Sequence, residues 1–438
     1  MRNHLTYKTK EQKPVPEGAM IVGKNVYYEM DSYKTQRNNN VAVIGAAGAG
    51  KTRSIVSPNI LQATDSYVIS DPKANLYKKY KNYLETKGYE VKKIDFINIR
   101  ESMHYNLFLK TLSKDRIVTQ QNITKMAHNL VKSAVLDKCS AGDPFWDNSS
   151  EILLAALIAY TLDDPAIAKK DFETIVRLIN SLTVNEDNSN EEGVLDRVFI
   201  RNRSTDLYKF AQLKYRSFRV AAAKTLKSIQ ISANSMISKY ANTEISMMMQ
   251  RDDLDIASIG QKKTALFICA SDCDRTYDGL VNIVFTQIMN GLVEYADSLP
   301  ESRLPIPVRF ILDDFATNVC INEFPRMISS VRSRGISAMI FLQAESQLQN
   351  FYKDDGRTIL GSCDTYVYLG GGDIETAKNV SKRSNKSFDT IMNMPVGHEW
   401  IFRRGENPVY TEIFDLEPFE KEKMFEAELI RDFKGEEL

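Results

Sequence analysis

The chain has 438 residues, of which 43% are hydrophobic and 26% are charged, so it can bury the cores of two or three domains. Its 57 basic and 57 acidic residues balance, so any affinity for nucleic acid must come from local patches rather than from net charge. The longest strongly apolar run, at 152–162, is too short to span a bilayer, and the five cysteines lack metal-binding spacing, which favours reduced thiols in a cytosolic compartment.

The N-terminal segment, residues 1–40, is polar, contains a strand candidate at 20–28 and is interpreted as an arm that leads to a central sheet. Strand-like runs then follow at 41–44, 66–73 and 89–96, with helical patterns between them. Strands that alternate with helices predict a parallel sheet in an α/β fold.

The first of these strands runs into GAAGAGKT at 45–52, which matches the phosphate-loop pattern G-x-x-x-x-G-K-[ST]. Glycines let such a loop turn its backbone N–H groups toward phosphate oxygens, at the positive end of the next helix. Lys51 is expected to reach the β- and γ-phosphates, and the Thr52 hydroxyl to bind Mg²⁺. We therefore predict that a nucleotide is bound by Gly45, Gly48, Ala49, Gly50, Lys51, Thr52 and Arg53.

From 111 to 244 the periodicity is helical, which predicts an all-α domain inserted in the nucleotide-binding domain. The segment 197–239 contains ten basic residues and only one acidic residue. The aromatic residues Tyr208, Phe210, Tyr215 and Phe218 lie among them. This combination is compatible with binding phosphate backbones and stacking bases, and equally with a solvated helix face over a hydrophobic stripe. The candidates for contact with DNA or cargo are Lys214, Arg216 and Arg219.

The strand and helix alternation resumes after 245, with strands predicted at 264–270, 307–316, from 337 and from 364. The predicted nucleotide-binding domain therefore comprises 41–110 and 245–415. The final segment, 416–438, is acidic and is interpreted as a solvated helix or tail, with a docking peptide as the alternative.

Catalysis of nucleotide hydrolysis needs one acid for Mg²⁺ and a second to orient or deprotonate water. Asp313 and Asp314, at the end of the apolar strand FIL, are the metal acid and the candidate base. Gln343 ends the next strand and is placed to sense the γ-phosphate, although an amide there can equally cap a helix. Arg332 is a candidate arginine finger for a neighbouring subunit, against the alternative of a helix C-terminal charge.

Together these residues resemble the type IV coupling proteins of bacterial conjugation and type IV secretion, especially the Gram-positive branch, over nearly the whole chain. The resemblance rests on the phosphate loop and, in order, on SYVISDPKANL, HYNLF, the Asp143 to Trp146 turn, FILDDFA, SSVRSRGIS and FLQAESQL. It implies a RecA-like P-loop domain with a mostly parallel sheet, an inserted all-α domain and bound ATP and Mg²⁺. It also implies a homo-hexameric ATPase that moves relaxase-bound single-stranded DNA through a secretion channel, and it supports the roles of Lys51, Thr52, Asp313, residue 314, Gln343 and Arg332.

Two departures from that family matter. The family usually has Glu where this chain has Asp314, and the missing methylene predicts slower turnover. The family also usually carries N-terminal transmembrane helices, whereas this chain starts almost directly at the nucleotide domain. We expect either a separate membrane anchor protein that holds a cytoplasmic chain at the inner face of the cell membrane, or a longer natural protein.

Three hypotheses remain open from the sequence. The first is a conjugative coupling ATPase, and the second is a double-stranded DNA translocase of the septal or repair kind. The third, motivated by Asp314, is a cargo-docking adaptor that binds nucleotide and hydrolyses it weakly or not at all.

Overall fold

The computed structural model describes residues 11–111, 120–135, 143–184, 192–201, 203–317 and 319–436. Its strands are β1 Met20–Gly23, β2 Val26–Tyr28, β3 Val41–Ile44, β4 Ser66–Asp71, β5 Glu90–Asp95, β6 Thr264–Cys269, β7 Val308–Leu312, β8 Ile336–Leu342, β9 Thr365–Tyr368, β10 His398–Arg403 and β11 Val409–Glu412.

The α-helices are α1 Ser32–Thr35, α2 Ser57–Leu61, α3 Asn75–Thr86, α4 Gln120–Val135, α5 Pro144–Asp163, α6 Phe172–Asn180, α7 Val194–Ile200, α8 Asp206–Arg219, α9 Ala223–Ile237, α10 Thr243–Met248, α11 Asp278–Asp297, α12 Phe324–Ser330, α13 Ser346–Tyr352, α14 Gly356–Gly361, α15 Ile374–Ser384, α16 Phe388–Met392 and α17 Leu416–Glu436. A π-helical turn occupies Thr52–Val56, and 3₁₀ turns occupy Ile99–Glu101, Leu109–Thr111, Ser238–Tyr240, Ala257–Gly260, Arg332–Arg334 and Lys353–Asp355.

Nine strands form one sheet in the order β11-β10-β9-β3-β8-β7-β4-β6-β5. The pairs β9–β3, β3–β8, β8–β7 and β7–β4 are all parallel. Each of these five strands is buried along its whole length, as short runs rich in Val, Ile and Leu predict for a sheet covered on both faces. The predicted α/β fold with a mostly parallel central sheet is confirmed.

The strand β11 at the edge of the sheet and its neighbour β10 were not predicted. They pair antiparallel with each other, and β10 pairs antiparallel with β9. The charged residues in HEWIFRR interrupt an apolar run, and the tertiary environment overrides that local signal because Trp400 and Ile401 are buried.

The helix after the phosphate loop continues past the predicted end at Pro58-Asn59 as far as Leu61. A proline inside a helix lacks the N–H of one hydrogen bond and crowds the preceding turn. Here the preceding turn is π-helical, with the Ser57 N–H bonded to the Thr52 carbonyl, so that Pro58 lies at the start of a regular α-helix. The buried Asn59 then bonds to both backbone groups of Ile21, which ties the N-terminal hairpin β1–β2 to this helix.

The described residues fall into two compact units. The first comprises those of Met1–Lys92, Ala257–Phe267 and Leu292–Leu438, and the second those of Lys93–Ile256 and Ile268–Gly291. Every regular element described between 111 and 244 is helical, and α5 packs against α4 and α8 within the second unit. The domain boundaries given by the sequence stay predictions.

The acidic C-terminal segment forms the predicted helix, α17, but this helix is partly buried rather than fully solvated. Its residues Leu416, Phe419 and Ala427 are buried, and the helix packs against α2 and α3. Glu420 pairs with Lys79 of α3, and Glu426 pairs with Lys87, which directly follows α3.

None of the helices in the described part of the chain combines the length and apolarity needed to cross a bilayer. The four described cysteines, Cys269, Cys273, Cys320 and Cys363, form no disulfide with one another. Cys139 lies outside the described residues.

Candidate functional site

The sheet brings the carboxyl ends of β3, β8 and β7 to the same edge, with β8 between the other two. In the register of these strands, Ile44 pairs with Leu342 and Leu312 pairs with Ile340. The residues that follow each strand therefore leave the sheet side by side. This geometry gathers the phosphate loop, Gln343 and the two acids Asp313 and Asp314 at one edge of the first unit.

The phosphate loop has the backbone conformation that its glycines permit. Gly48 and Gly50 have φ angles of 75° and 94°, in the left-handed region that other residues rarely adopt. A Cβ atom at Gly45 would lie 3.0 Å from the Cβ of Leu369 and 3.2 Å from that of Ala49, so a larger residue there would have to displace these neighbours slightly. The loop therefore has the shape that the phosphate-loop pattern predicts.

The ammonium group of Lys51 lies inside the loop. Its Nζ donates hydrogen bonds to the carbonyl oxygens of Gly45 at 2.6 Å and Ala46 at 3.1 Å. Burial lowers the pKa of Lys51, and the negative charges of Asp313 and Asp314 oppose that effect. The side chain is thus held at the centre of the loop, where phosphate oxygens are expected.

Thr52 and Asp313 meet directly across the site. The Thr52 hydroxyl donates a hydrogen bond of 2.9 Å to Oδ2 of Asp313, although 261 positions separate the two residues in the chain. Burial raises the pKa of Asp313, Asp314 raises it further, and the hydrogen bond from Thr52 opposes both. A cation bound here would favour the ionised carboxylate, so this pair of oxygens is a suitable place for Mg²⁺.

Asp314 is half-buried and starts a tight turn after β7. Its φ angle is 52°, and that of Ala316 is 59°, which are strained values for residues with a Cβ. The Phe315 N–H donates to the carbonyl of Phe341 in β8, at 3.0 Å. The turn thus orients the Asp314 side chain at the same edge as Thr52 and Asp313.

Gln343 is exposed directly after β8, between the phosphate loop and the acids. Its backbone N–H donates to Oε1 of Gln347, which lies on the first turn of α13. Gln347 was not predicted from the sequence, where its spacing of four residues from Gln343 in FLQAESQ is the only indication of this contact.

The C-terminal segment also approaches the phosphate loop, which the sequence did not indicate. The Cδ1 atom of Ile413 lies 3.6 Å from the position of a Cβ at Gly50. A hydrogen bond from Lys421 lowers the pKa of Glu417, and the positive charge of Arg53 contributes to the same shift. Arg53 is exposed, and its predicted contact with nucleotide stays a prediction.

Arg332 lies at the opposite edge of the sheet from the phosphate loop, because it precedes β8 whereas the loop follows β3. Its guanidinium donates a hydrogen bond of 2.6 Å to the carbonyl oxygen of Ser32 in the N-terminal segment. Arg332 therefore does not join the other predicted site residues within one chain.

The basic stretch of the second unit differs from the base-stacking interpretation. Tyr208, Phe210, Tyr215 and Phe218 are at most 8% exposed, because they form the core face of α8, so their rings cannot stack on bases. Arg219 pairs with the buried Asp196 at 3.0 Å. Lys214 lies over the ring of Phe210, whereas Arg216 is exposed. The proposed DNA contacts of these three basic residues stay predictions.

The residues present fit ATP and Mg²⁺. The loop supplies a glycine-lined turn and a buried lysine, and the Thr52 and Asp313 oxygens supply the hard oxygen ligands that Mg²⁺ prefers. No cluster of three or more His, Cys, Asp or Glu side chains suited to a metal occurs in the part of the chain that the structure describes.

Comparison with known proteins gives a consistent result. The model of the family described as "Type IV secretory system Conjugative DNA transfer" matches residues 3–387. The protein VirD4 of Rhizobium radiobacter is 23% identical over 346 residues, which cover 78% of this chain and 47% of that protein. The chain spans about half the length of the curated relatives it matches.

Two solved structures share the fold. The bacterial conjugative coupling protein TrwBdeltaN70, in an unbound monoclinic form, matches with a TM-score of 0.63 and 16% identity, over 93% of this chain and 90% of that chain. The plasmid coupling protein TrwB in complex with ADP and Mg²⁺ matches with a TM-score of 0.62 and 16% identity, over 92% of this chain and 90% of that chain. The predicted RecA-like α/β fold with an additional helical part is thereby confirmed.

Proposed function

This chain belongs to the type IV secretory system conjugative DNA transfer family, and we propose that it is an ATPase that delivers relaxase-bound single-stranded DNA to a type IV secretion channel. The observation that carries the proposal is the 2.9 Å hydrogen bond between Thr52 and Asp313. It joins the phosphate loop to the metal acid at the point where hydrolysis requires both.

Each residue of the site has a distinct part in the proposed reaction. The backbone of the loop and Lys51 bind the phosphates, and Thr52 and Asp313 hold the metal ion. Asp314 orients the attacking water and accepts its proton, and Gln343 contacts the γ-phosphate. When bound, ATP and Mg²⁺ supply the transferable phosphoryl group and the charge that stabilises it.

The proposal extends to assembly and partners. The chain acts as a homo-hexamer in which Arg332 reaches the nucleotide of a neighbouring subunit, since its own phosphate loop lies at the other edge of the sheet. Its further partners are components of the secretion channel and a membrane anchor protein, which hold it at the inner face of the cell membrane. The relatives named as conjugative coupling proteins support this assignment.

Steady-state ATP hydrolysis tests the proposal, with and without single-stranded DNA. We expect hydrolysis that DNA stimulates and that Lys51→Ala lowers at least about 100-fold, because the lysine stabilises charge in the transition state. Lys78→Ala, at an exposed position of α3, is the matched control and is expected to keep full activity. A native chain without hydrolysis under both conditions would overturn the proposal, as would activity that Lys51→Ala leaves intact.

A second candidate function is a docking adaptor that binds nucleotide with little hydrolysis. Asp314 favours it, because a carboxylate one methylene shorter than Glu holds the attacking water less closely. In that case the native chain is inactive, and Asp314→Glu creates an activity that the native chain lacks.

A further inference from the structure

The side chain of Gln347, at the start of α13, connects the segment that contains Gln343 with the turn that contains Asp314. Oε1 of Gln347 accepts the backbone N–H of Gln343 at 2.7 Å and that of Ala344 at 3.4 Å. Nε2 of the same amide donates to the Thr317 hydroxyl at 2.9 Å. Because backbone N–H groups only donate, the amide oxygen must face Gln343 and the amide nitrogen must face Thr317. The orientation of the Gln347 amide is therefore determined by its partners.

Thr317 in turn belongs to the turn that holds Asp314. Its backbone N–H donates to the carbonyl oxygen of Asp314 at 3.2 Å. Asp314 and Ala316 both have positive φ angles, and strained backbone of this kind persists only where surrounding contacts determine it. A continuous chain of hydrogen bonds thus runs from Gln343 through Gln347 and Thr317 to Asp314.

The opposite side of the same segment is held by Glu345. Its carboxylate accepts hydrogen bonds from the Tyr366 hydroxyl at 2.7 Å and from the Asn379 amide at 2.6 Å. Its backbone N–H donates to the Thr376 hydroxyl at 3.0 Å. Glu345 therefore fixes this segment to β9 and α15, and Gln347 fixes it to the acidic turn.

We infer that Gln347 is a positioning residue that fixes the distance between the sensor Gln343 and the catalytic carboxylate of Asp314. The inference rests on the proposed ATPase function and deepens it. Hydrolysis requires Gln343 and Asp314 to act on the same phosphoryl group and water, and small displacements of reacting groups cost large factors in rate. Phosphate binding depends instead on the loop and Lys51, which Gln347 does not contact in the hydrogen bonds described above.

The test compares Gln347→Met, Thr317→Val and their double variant with the native chain. We expect each single variant to lower kcat about tenfold while the dissociation constant of a fluorescent, non-hydrolysable ATP analogue stays unchanged. The kcat of the double variant should be little lower than that of either single variant, because both substitutions remove the hydrogen bond between Gln347 and Thr317. Thr317→Ser keeps the hydroxyl and should retain native kcat, and Gln349→Met, exposed on α13, is the matched control.

Hydrogen exchange by mass spectrometry separates failure of this inference from failure of the proposed function. Gln347→Met should speed amide exchange in peptides that contain 343–344 and 314–317, whether or not the chain hydrolyses ATP. Additive losses of kcat, or a loss no greater than that of Gln349→Met, would overturn the positioning role while the ATPase assignment stands. A native chain that binds ATP without hydrolysing it would overturn the ATPase assignment, and with it the positioning role, even if the exchange difference persists.

Discussion

Glu399 places a carboxyl group in the interior beside the N-terminal hairpin. The residue is fully buried in β10, and its Oε1 packs so closely against Gly23 that a Cβ there would clash with it. Within the residues that the structure describes, neither carboxylate oxygen has a hydrogen-bond partner. Burial therefore raises the pKa of Glu399 well above its ordinary value, because the ionised form cannot be solvated there.

This environment predicts a pH-dependent stability. A carboxyl group whose pKa is higher in the folded state stabilises the fold below its unfolded pKa, and that contribution is lost as pH rises through the folded pKa. Glu399→Gln should match the native chain near pH 4 and become more stable above it, by up to about 1.4 kcal/mol per pH unit.

Urea denaturation between pH 4 and 9 measures this difference. Glu422→Gln, exposed on α17, is the control and should show no such trend. Parallel stability profiles of the native chain and Glu399→Gln across that range would contradict the prediction.

Asp314 gives the second prediction for a single residue. Asp314→Asn should lower kcat about 100-fold or more, the usual range for loss of a general base, and should leave nucleotide affinity close to native. Asp314→Glu should raise kcat, because the longer side chain brings the carboxylate closer to the attacking water. Single-turnover hydrolysis measures both effects, with Asp354→Asn at an exposed position as the control. Native turnover by Asp314→Asn would remove Asp314 from the reaction.

At the scale of the helix α8, the structure separates three basic residues that the sequence grouped together. The Arg219 side chain is 18% exposed and forms an ion pair with Asp196. The carboxylate of Asp196 also accepts a hydrogen bond from the Tyr215 hydroxyl. Arg219→Ala should therefore destabilise the fold by about 1–3 kcal/mol, the usual cost of removing a partner from a buried polar group. Arg216→Ala should change stability by less than about 0.5 kcal/mol, because its side chain is exposed.

DNA binding by the same helix gives the complementary expectation. If Arg216 contacts a phosphate, Arg216→Ala weakens single-stranded DNA binding and reduces the slope of log K against log salt by about 0.7. Fluorescence anisotropy titrations at several salt concentrations measure the slope. An unchanged slope, with Lys214→Ala giving the same result, would identify this side of α8 as a solvated face.

The central strands of the sheet and the strand β10 differ in how far their own sequences predict them. Parallel strands such as β3, β7 and β8 are continuous apolar runs, so their sequences predict them directly. The antiparallel strand β10 carries the buried Glu399 and the charged Arg403, and only its pairing with β9 and β11 shows that it is a strand.

The position of Arg332 in the molecule predicts that its side chain acts on the nucleotide of a neighbouring subunit. The seven residues of β8, at about 3.3 Å each, separate Arg332 from the edge that carries the phosphate loop. A side chain cannot span a distance of about 20 Å, so any contact of Arg332 with nucleotide must be with another subunit. Arg332→Ala should bind ATP normally and hydrolyse it about 1,000-fold more slowly.

Mixing two inactive variants tests this arrangement. Lys51→Ala retains Arg332, and Arg332→Ala retains the phosphate loop, so a mixed assembly contains complete sites at the interfaces between them. We expect the mixture to recover a substantial part of native hydrolysis and each variant alone to show almost none. A mixture as inactive as its components would exclude a role of Arg332 in trans. Because Arg332→Ala also removes the hydrogen bond to the Ser32 carbonyl, the melting temperatures of this variant and the native chain are compared as a control for lost stability.

The strands of the parallel sheet and the phosphate loop could be predicted from the sequence, and the roles of Lys51, Thr52, Asp313 and Asp314 as site residues stay predictions made from it. Such prediction is possible because buried strands and phosphate loops are local patterns, in which neighbouring residues carry the whole signal.

The contacts between distant residues follow from the tertiary structure. The hydrogen bond between Thr52 and Asp313, the amide of Gln347 between Gln343 and Thr317, and the burial of the α8 aromatic rings all join or cover residues from different elements. Such contacts follow from the order and register of strands, which a single sequence does not specify, because one local pattern is compatible with several sheet arrangements.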